Sequence, residues 1–374
     1  MPGLASVHTV PSEPAAPARL ADAPERERRE RRENWVASPT LRSRGRGALV
    51  SVIVLNHNYA RYLKQCIDSA LAQDYEPLEV IVVDDGSTDE SRAVIESYGC
   101  RIVSELKPNG GVASTMNRGF ELSRGSVVIF LDADDFLLPG AVADHVRAHR
   151  DREVVRSEAY LRILKEAPYP IDITPHGPPG EGDLREMVLE RGPGAFLSAP
   201  QSGNAWARRY LDEVMPLPET LNGIGGDALL MDPAPLFGRI AVLKTGPRAV
   251  YRVHNNGMNA AKAGMTPDQV RKARARQDAR AHRLEDIARS LGHAADRSAW
   301  KSRSWRLLTL DYLAGRLGDV ATAVPLTTHL RAVRKVRGSA VKRLALATTL
   351  LCVRVVPTRL SLWLTGRVID LRYT

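Results

Sequence analysis

Two short stretches of the chain end in clusters of carboxylates, and these residue types suggest metal and phosphate chemistry. VIVVDDGSTD spans residues 80–89, and VVIFLDADD spans residues 127–135. In each, a run of apolar β-formers ends in acidic residues, which is typical of a buried parallel strand whose carboxyl end opens onto a ligand site. Together the two ends would concentrate in one crevice the carboxylates of Asp84, Asp85, Asp132, Asp134 and Asp135. Unpaired carboxylates are costly there, so a cation is implied, and oxygen ligands favour Mg²⁺ or Mn²⁺ shared with a substrate phosphate.

Strands and helices are predicted to alternate around these stretches. Continuous apolar runs predict strands, and apolar residues spaced three or four apart predict amphipathic helices. The predicted strands are 48–55, 78–83, 100–105 and 126–132, and the predicted helices are 60–73, 89–98, 109–122 and 139–149. We expect Ser87 or Asp89 to cap the second helix, and Gly86 to allow the tight turn before it. This order predicts an α/β fold with a doubly wound, mostly parallel sheet and right-handed crossovers.

The middle of the chain gives a weaker pattern. Residues 151–220 are rich in Pro and Gly, and we predict one helix there, at 183–190, among loops on the acceptor side. A glycine-led helix start follows within 223–238, and 240–254 is interpreted as two short strands around a Gly-Pro turn. From Pro267 onward the chain is predicted to be helical.

Composition excludes several classes of protein. The 374 residues, 44% of them hydrophobic, can hold one large domain with an appendage, or two domains. The three cysteines are far apart, so neither a disulfide framework nor a zinc site is expected, and a reducing cytosol is the default. The N-terminus lacks a secretion signal, and no uninterrupted apolar window of about 18 residues predicts a membrane-spanning helix.

Positive charge is concentrated in the C-terminal segment. The whole chain carries +10, whereas residues 264–374 contain 22 Lys and Arg against 8 Asp and Glu, or +14, so the remainder carries −4. Beyond residue 330, basic residues flank the short apolar runs 344–353 and 360–364, and the second run contains Trp363. This pattern indicates an interfacial helix on an anionic membrane surface.

Several sequence blocks occur in an order that known enzymes share. They are SVIVLNHN (51–58), SALAQDYEPLEVIVVDDGSTDES (69–91), NGGVASTMNRG (109–119), GSVVIFLDADDFLLPG (125–140), GGDALL (225–230) and YRVH (251–254). On these blocks, residues 48–260 resemble glycosyltransferase family 2, whose members have the nucleotide-binding GT-A fold. Together with composition, the resemblance predicts a disordered lead at 1–47, a GT-A domain at 48–263 and a basic helical tail at 264–374.

The resemblance implies transfer of a sugar from a nucleoside diphosphate sugar to a hydroxyl, with inversion at the anomeric carbon. Charge develops on the leaving diphosphate, so Mn²⁺ or Mg²⁺ is expected as a Lewis acid. By the same resemblance, Asp134 and Asp135 would hold the metal, with His254 completing its shell. Asp132 would face the ribose or the donor sugar. Asp227, at a later helix start, would be the general base that deprotonates the acceptor hydroxyl.

Other matched positions are assigned by the resemblance to the donor nucleotide, for which UDP is expected. Asp85 would accept a hydrogen bond from uracil, and Asp84 would brace the loop or the ribose. The first block contributes three further substrate-binding residues, Leu55, His57 and Asn58. His57 stands where relatives often carry Tyr, so stacking on the base and a packing role are both open.

Two departures from the family pattern matter. Asn117 is expected at the substrate, but Met116 precedes it where relatives often carry Arg, so a cationic contact to the diphosphate is lost. Arg118 or Lys107 would have to replace it. The QxxRW motif of processive relatives does not follow Asp227, so addition of one or a few sugars is expected.

The leading hypothesis is therefore a metal-dependent inverting glycosyltransferase at the cytoplasmic face of the plasma membrane, acting on a glycan or lipid-linked acceptor in cell-surface polysaccharide or glycolipid assembly. A nucleotidyltransferase is disfavoured because residues 55–63 are not a Gly-rich phosphate loop. A non-catalytic nucleotide-sugar-binding or polyanion-binding protein on a degenerate GT-A fold stays open, although Asp134 and Asp227 argue against it. Nucleic acid is disfavoured as a partner because no aromatic platform or known module selects RNA or DNA, but a nucleic-acid-binding role for the tail stays open because basic charge favours any polyanion.

Overall fold

The computed structural model describes residues 47–166, 180–221, 226–254, 266–319, 324–334 and 340–362. The predicted disordered lead, apart from its last residue, lies outside this part of the chain. So do Trp363 and the residues after it, and the two glycines that precede Gly226 in the predicted helix start.

A sheet of eight strands forms the centre of the described residues. In chain order they are β1 (Val50–Asn56), β2 (Leu78–Asp85), β3 (Val103–Lys107), β4 (Val127–Asp132), β5 (Phe136–Leu137), β6 (Val154–Lys165), β7 (Asn204–Ala207) and β8 (Arg239–Val253). Across the sheet their order is β3-β2-β1-β4-β7-β6-β8-β5. The first four are parallel, β6 is parallel to β8, and β7 and β5 run antiparallel to their neighbours. The predicted α/β class with a mostly parallel sheet is confirmed.

The described residues form thirteen α-helices. They are α1 (Ala60–Leu71), α2 (Ser91–Glu96), α3 (Gly111–Leu122), α4 (Ala141–Ala148), α5 (Arg185–Arg191), α6 (Arg208–Val214), α7 (Gly226–Met231), α8 (Ala234–Phe237), α9 (Pro267–Ser290), α10 (Arg297–Arg303), α11 (Trp305–Arg316), α12 (Leu326–Arg334) and α13 (Ala340–Val355). Some of these helices pack on each face of the sheet, and the last three pack with α9 in a separate apolar cluster. Because alternate strand residues point to opposite faces, β1 contributes to two cores. Ile53 packs in the cluster that includes Met116 of α3, whereas Val52 and Val54 pack in the cluster that includes Leu63 of α1.

The strand register brings the two acidic strand ends to one edge of the sheet. Leu55 of β1 lies beside Asp132 of β4, and Asn56 lies beside Asp84 of β2. The two ends therefore flank β1 on either side and do not pair with each other directly. Parallel strands end at the same edge of a sheet, which is why both acidic ends face the same crevice.

Three local predictions differ from the structure. β3 begins at Val103, because Gly99–Arg101 forms a 3-10 turn in place of the predicted strand start. The predicted pair of short strands around the Gly-Pro turn is wrong, since β8 runs without interruption through Gly246, which has a φ of +86°. Its partner β6 shifts register around Tyr160, so the irregularity is absorbed within the ladder. The sequence also does not predict β6, β7 or α6.

The C-terminal helices pack on the sheet as well as on one another. Leu284 and Ala288 of α9 and Trp300 of α10 share an apolar cluster with β1, α3 and α7. The Trp300 indole Nε1 donates a hydrogen bond of 2.7 Å to the carbonyl of Leu189 within α5. The predicted helical tail is thus confirmed, and its first part is built onto the main core. Within the described ranges, the helices are all too short or too polar to cross a membrane.

Candidate active site

Asp84 is fully buried at the end of β2 and holds the loop that follows it. Its carboxylate accepts hydrogen bonds from Asn56 Nδ2 at 2.7 Å and from the backbone nitrogen of Ser87 at 3.0 Å. Gly86 between them has a φ of +73°, and a β-carbon there would lie 2.7 Å from the backbone nitrogen of Asn109. A residue without a side chain is therefore required in this turn. Of the two roles that the resemblance implies for Asp84, the structure shows the bracing of the loop.

Asp85 is held at the N-terminus of α3. Its carboxylate accepts hydrogen bonds from the backbone nitrogens of Gly110 and Gly111, each at 2.8 Å, and forms an ion pair with the Lys107 ammonium. The amides at a helix N-terminus carry partial positive charge, so they stabilise this carboxylate. Among the described partners, Oδ1 has two and Oδ2 has one, so a carboxylate oxygen retains capacity for a ligand donor.

The loop after β1 is linked to the loop after β2 by side-chain hydrogen bonds. Asn58 has a φ of +59°, which asparagine tolerates better than most residues, and its Oδ1 accepts from the backbone nitrogen of Thr88 at 2.7 Å. His57 Nδ1 lies 2.8 Å from the Asp85 carbonyl oxygen. The His57 ring is exposed, so the structure does not show the packing role that the sequence left open. Stacking on a base stays a prediction.

Asp132 lies at the end of β4 among other carboxylates. Its Oδ1 accepts a hydrogen bond of 2.6 Å from Gln201 Nε2. Its pKa is raised to about 8, first by loss of contact with water and then by the negative charges of Asp134 and Asp227. The predicted donor-facing aspartate, the predicted metal ligand and the predicted base are therefore close enough to act on one another electrostatically.

Asp135 is buried next to Asp132 and Asp134, and its carboxylate is hydrogen-bonded to protein groups. Oδ2 accepts from the Ser202 hydroxyl at 2.6 Å, and Oδ1 accepts from the backbone nitrogen of Arg252 at 2.8 Å. Burial raises its pKa well above the ordinary value, and the charges of Asp134 and Asp132 raise it further. The structure thus places Asp135 beside the predicted metal site with both oxygens bonded to protein groups.

Asp134 and His254 are brought together from distant parts of the chain. The Asp134 carboxylate lies 3.0 Å from His254 Nε2. The buried His254 ring packs edge-on to Tyr59, with centroids 5.7 Å apart, and against Tyr62 at 4.8 Å. Arg252 Nε donates to the Asp134 carbonyl at 2.8 Å, which ties the loop after β4 to the end of β8. Across the described ranges, no three His, Cys, Asp or Glu side chains form a preassembled metal cage.

Asp227 lies in the first turn of α7, where Ala228 donates its backbone N–H to Oδ1 at 2.8 Å. Burial is the main cause that raises its pKa. Close packing sets the position of this turn, since a β-carbon on Gly226 would lie 2.3 Å from the Met116 sulfur of α3. The residue that replaces the family's arginine therefore serves as the surface on which the Asp227 helix rests.

Three other predicted positions are engaged by protein groups. The Asn117 amide exchanges two hydrogen bonds with the backbone of Leu217, of 2.9 and 2.7 Å, and thereby holds that loop. The Arg118 guanidinium pairs with two glutamates, Glu105 at 2.9 Å and Glu121 at 2.7 Å. Leu55 is buried in the core beside Asp132. A substrate contact by Asn117 or Leu55 remains a prediction.

Sequence reasoning missed several residues that shape the site. Gln201 and Ser202 bind the β4 carboxylates but lie in the stretch where the sequence pattern was weakest, and no local signal marks them. Arg252 stands inside the YRVH block, yet its partners Asp134, Asp135 and Glu166 come from other elements. Only the fold shows that this arginine connects the acidic loop to β8.

Comparisons with known proteins find a family model and related sequences. The sequence model described as "Glycosyl transferase family 2" matches residues 51–191. An uncharacterized glycosyltransferase of Nostoc sp. is 35% identical over 253 residues, covering 66% of this chain and 77% of that protein. The hyaluronan synthase of Pasteurella multocida is 44% identical over 102 residues, which is 26% of this chain and 10% of that protein.

Solved structures give a more distant likeness. Residues 1–349 of S. aureus TarS in complex with UDP-GlcNAc are 18% identical, with a TM-score of 0.48, covering 87% of this chain and 88% of that one. The mannosyltransferase PcManGT from Pyrobaculum calidifontis in complex with GDP-Man and Mn²⁺ is 19% identical, with a TM-score of 0.45, covering 92% and 93%. The Nostoc relative is matched over most of its own length, so that similarity concerns a whole protein and not one shared motif.

Proposed function

Since the chain belongs to glycosyltransferase family 2, we propose that it transfers a sugar from a nucleoside diphosphate sugar to an acceptor hydroxyl, with inversion at the anomeric carbon. The observation that carries this proposal is the convergence of three carboxylates from two separate elements. Asp134 and Asp227 both raise the pKa of Asp132, although Asp227 comes from a helix about a hundred residues further along the chain.

The donor set at the end of β4 fits a divalent cation. Burial raises the pKa of Asp132 and Asp135, and the negative charges of neighbouring carboxylates raise it further, so a bound cation would relieve part of this unfavourable charge. An aspartate oxygen beside a histidine nitrogen is a donor pair that Mn²⁺ accepts. We assign Asp134 and His254 to hold the ion, with Asp135 acting through its charge because its oxygens bind protein groups. When bound, the ion would offset the charge on the diphosphate leaving group.

Asp227 is proposed as the general base. Its carboxylate would accept the proton of the acceptor hydroxyl, and its raised pKa makes it a stronger proton acceptor than an ordinary aspartate. In the donor nucleotide, an N–H of the nucleobase would donate a hydrogen bond to Asp85, and the exposed His57 ring would stack on the nucleobase. A carboxylate can accept the imide N–H of uracil, the base that the family resemblance implies, so UDP is the proposed donor nucleotide.

A thermal-shift screen of nucleotide diphosphates with and without Mn²⁺ tests this donor site. We expect UDP with Mn²⁺ to stabilise the wild type and Asp74→Ala, an exposed control, but not Asp134→Ala. If folded wild type is stabilised by none of the nucleotides, the transfer proposal fails and the non-catalytic alternative is favoured.

We further propose that the enzyme works against an anionic membrane surface, where a glycan or lipid-linked acceptor would be presented. α13 exposes Leu344 (68% exposed), Leu351 (43%) and Val355 (83%), whose spacings of seven and four place them on one helix face. Basic residues surround this face in the sequence, which suits anionic headgroups.

The membrane proposal is best tested with point substitutions. Removing the chain from residue 330 would also remove Val333, Leu350 and Val353 from the cluster that buries Val270 of α9, so a deletion would disturb the fold. We expect Leu344→Gln with Val355→Gln to lose sedimentation with phosphatidylglycerol vesicles. Val103→Gln with Leu106→Gln, at exposed positions of the edge strand β3, should retain it. Equal sedimentation of the two double variants would disprove the assignment of this face.

A further inference from the structure

The first helix of the basic tail, α9, carries a buried arginine that bonds the residue directly after the Asp227 helix. Arg280 of α9 forms a bidentate ion pair with Asp232, with Nε and Nη2 lying 2.7 and 2.8 Å from the two carboxylate oxygens. Asp232 immediately follows α7, the helix that carries Asp227. One carboxylate thus connects a helix of the tail to the helix of the active site.

This pair is buried and specifically bonded. The Arg280 and Asp232 side chains are each 6% exposed, and Asp232 Oδ1 also accepts from the backbone nitrogen of Gly194 at 3.0 Å. A buried ion pair costs desolvation energy, so it adds little stability relative to apolar residues, but it imposes a definite geometry. The planar guanidinium bonds both oxygens at once and therefore sets the orientation of the carboxylate as well as its place.

The Asp227 helix needs such support. α7 has only six residues, and isolated helices of that length are unstable in water. Its apolar side chains Leu229 and Leu230 pack in the cluster that contains Leu284 of α9. At its N-terminal side, Gly226 packs closely against α3, where a β-carbon would lie 2.3 Å from the Met116 sulfur and 3.2 Å from a Val112 methyl carbon. At its other end the Asp232 anchor supplies a polar, directional contact, next to the hydrogen bond that the Tyr210 hydroxyl donates to the Leu230 carbonyl.

We propose that Arg280 is a positioning residue that, through Asp232, holds α7 so that Asp227 faces the candidate active site. The inference rests on the proposed role of Asp227. Burial raises the pKa of Asp227, the Arg280 charge lowers it and the Asp232 charge raises it, so the two charges of the ion pair oppose each other and the pair acts on Asp227 through its geometry. It follows that α9, although outside the residues matched by the family, belongs to the catalytic unit.

The test compares Arg280→Met and Arg280→Lys with Arg276→Met, an exposed arginine on the same helix. Three measurements are made on the full chain: amide hydrogen exchange, calorimetric binding of UDP with Mn²⁺, and UDP release from UDP-glucose and UDP-GlcNAc. For Arg280→Met we expect faster exchange across 226–232, a fall in kcat of about tenfold and UDP affinity within about twofold of wild type. The lysine variant keeps the charge but not the fork, so it should recover part of kcat.

Each outcome decides the inference. Exchange and kcat indistinguishable from those of Arg276→Met would overturn it. So would a loss of UDP binding together with faster exchange throughout the sheet, since the pair would then support the whole fold. If wild type itself releases no UDP, the proposed function fails, but selective exchange across 226–232 in Arg280→Met would still support positioning, and unchanged exchange there would refute it.

Discussion

The acidic ends of β2 and β4 look alike in sequence but differ in how their charge is compensated. At β2, Asp84 and Asp85 are buried among hydrogen-bond donors, including two helix amides and the Lys107 ammonium. At β4, the charges that act most strongly on Asp132 are those of Asp134 and Asp227. The negative charge at the first end is offset by protein donors, whereas the second end holds carboxylates that repel one another.

This difference separates structure from chemistry. A carboxylate whose charge is offset by protein hydrogen-bond donors fixes loops and shapes a pocket for an uncharged group such as a nucleobase. Carboxylates that raise each other's pKa favour the binding of a cation, such as a metal ion that is shared with a diphosphate. Substitutions at β2 should therefore act mainly on stability, and those around β4 mainly on ligand binding and turnover.

Asp227→Asn should have the largest effect and should leave the fold intact. Removing the proton acceptor is expected to lower kcat about 10³-fold, because general-base catalysis contributes about 10²–10⁴-fold. UDP affinity in the presence of Mn²⁺ should stay near wild type, as measured by calorimetry. If Asp227→Asn instead lost UDP binding and retained kcat, Asp227 would be a ligand-binding residue and not the general base.

Asp85→Ala should lower the free energy of unfolding by about 3 kcal/mol, because it leaves the Lys107 ammonium, only 15% exposed, without its carboxylate. Chemical denaturation measures this loss. Glu121→Ala, which removes one of the two glutamate partners of Arg118 at an exposed site, serves as control and should change the free energy by no more than about 0.5 kcal/mol. Equal effects in the two variants would remove the distinction between the β2 end and an ordinary surface pair.

Asp132→Asn should produce the smallest change in stability per pH unit, and the change appears as an altered pH dependence. In the folded protein the Asp132 pKa is about 8, above its ordinary value of 3.8, so the folded state takes up the proton first. Its contribution to stability is therefore full below pH 4 and is lost as the pH rises through 8.

The measurement is urea denaturation of EDTA-treated protein at several pH values. Asp132→Asn should reduce the decline in stability between pH 5 and pH 8 by about 1 kcal/mol per pH unit, since one proton accounts for at most about 1.4. The same variant should respond less to added Mn²⁺. A pH profile that matches wild type would mean that the pKa of Asp132 is not raised in the folded protein, by burial or by the neighbouring carboxylates.

Much of the N-terminal half could be predicted from local patterns. The alternation of apolar runs and amphipathic segments places β1, β2, β4, α1 and α3 close to their observed bounds. Each of these strands is a continuous buried apolar run, and each of these helices buries one apolar stripe. The stretch that contains β6 and β7 could not be predicted in this way. Its long strand has a polar outer half, and β7 is only four residues long, so neither has a clear period.

By itself, the sequence determined the α/β class, the edge at which the acidic residues gather and the family to which the chain belongs. These depend on local order along the chain, which periodicity and motifs report directly. Only the tertiary structure decided which carboxylates are neutralised and which repel, that Asp134 meets His254, and that Arg280 of the tail anchors the Asp227 helix. Those pairings join residues far apart in sequence, and a charge acquires its pKa from neighbours that only folding brings near.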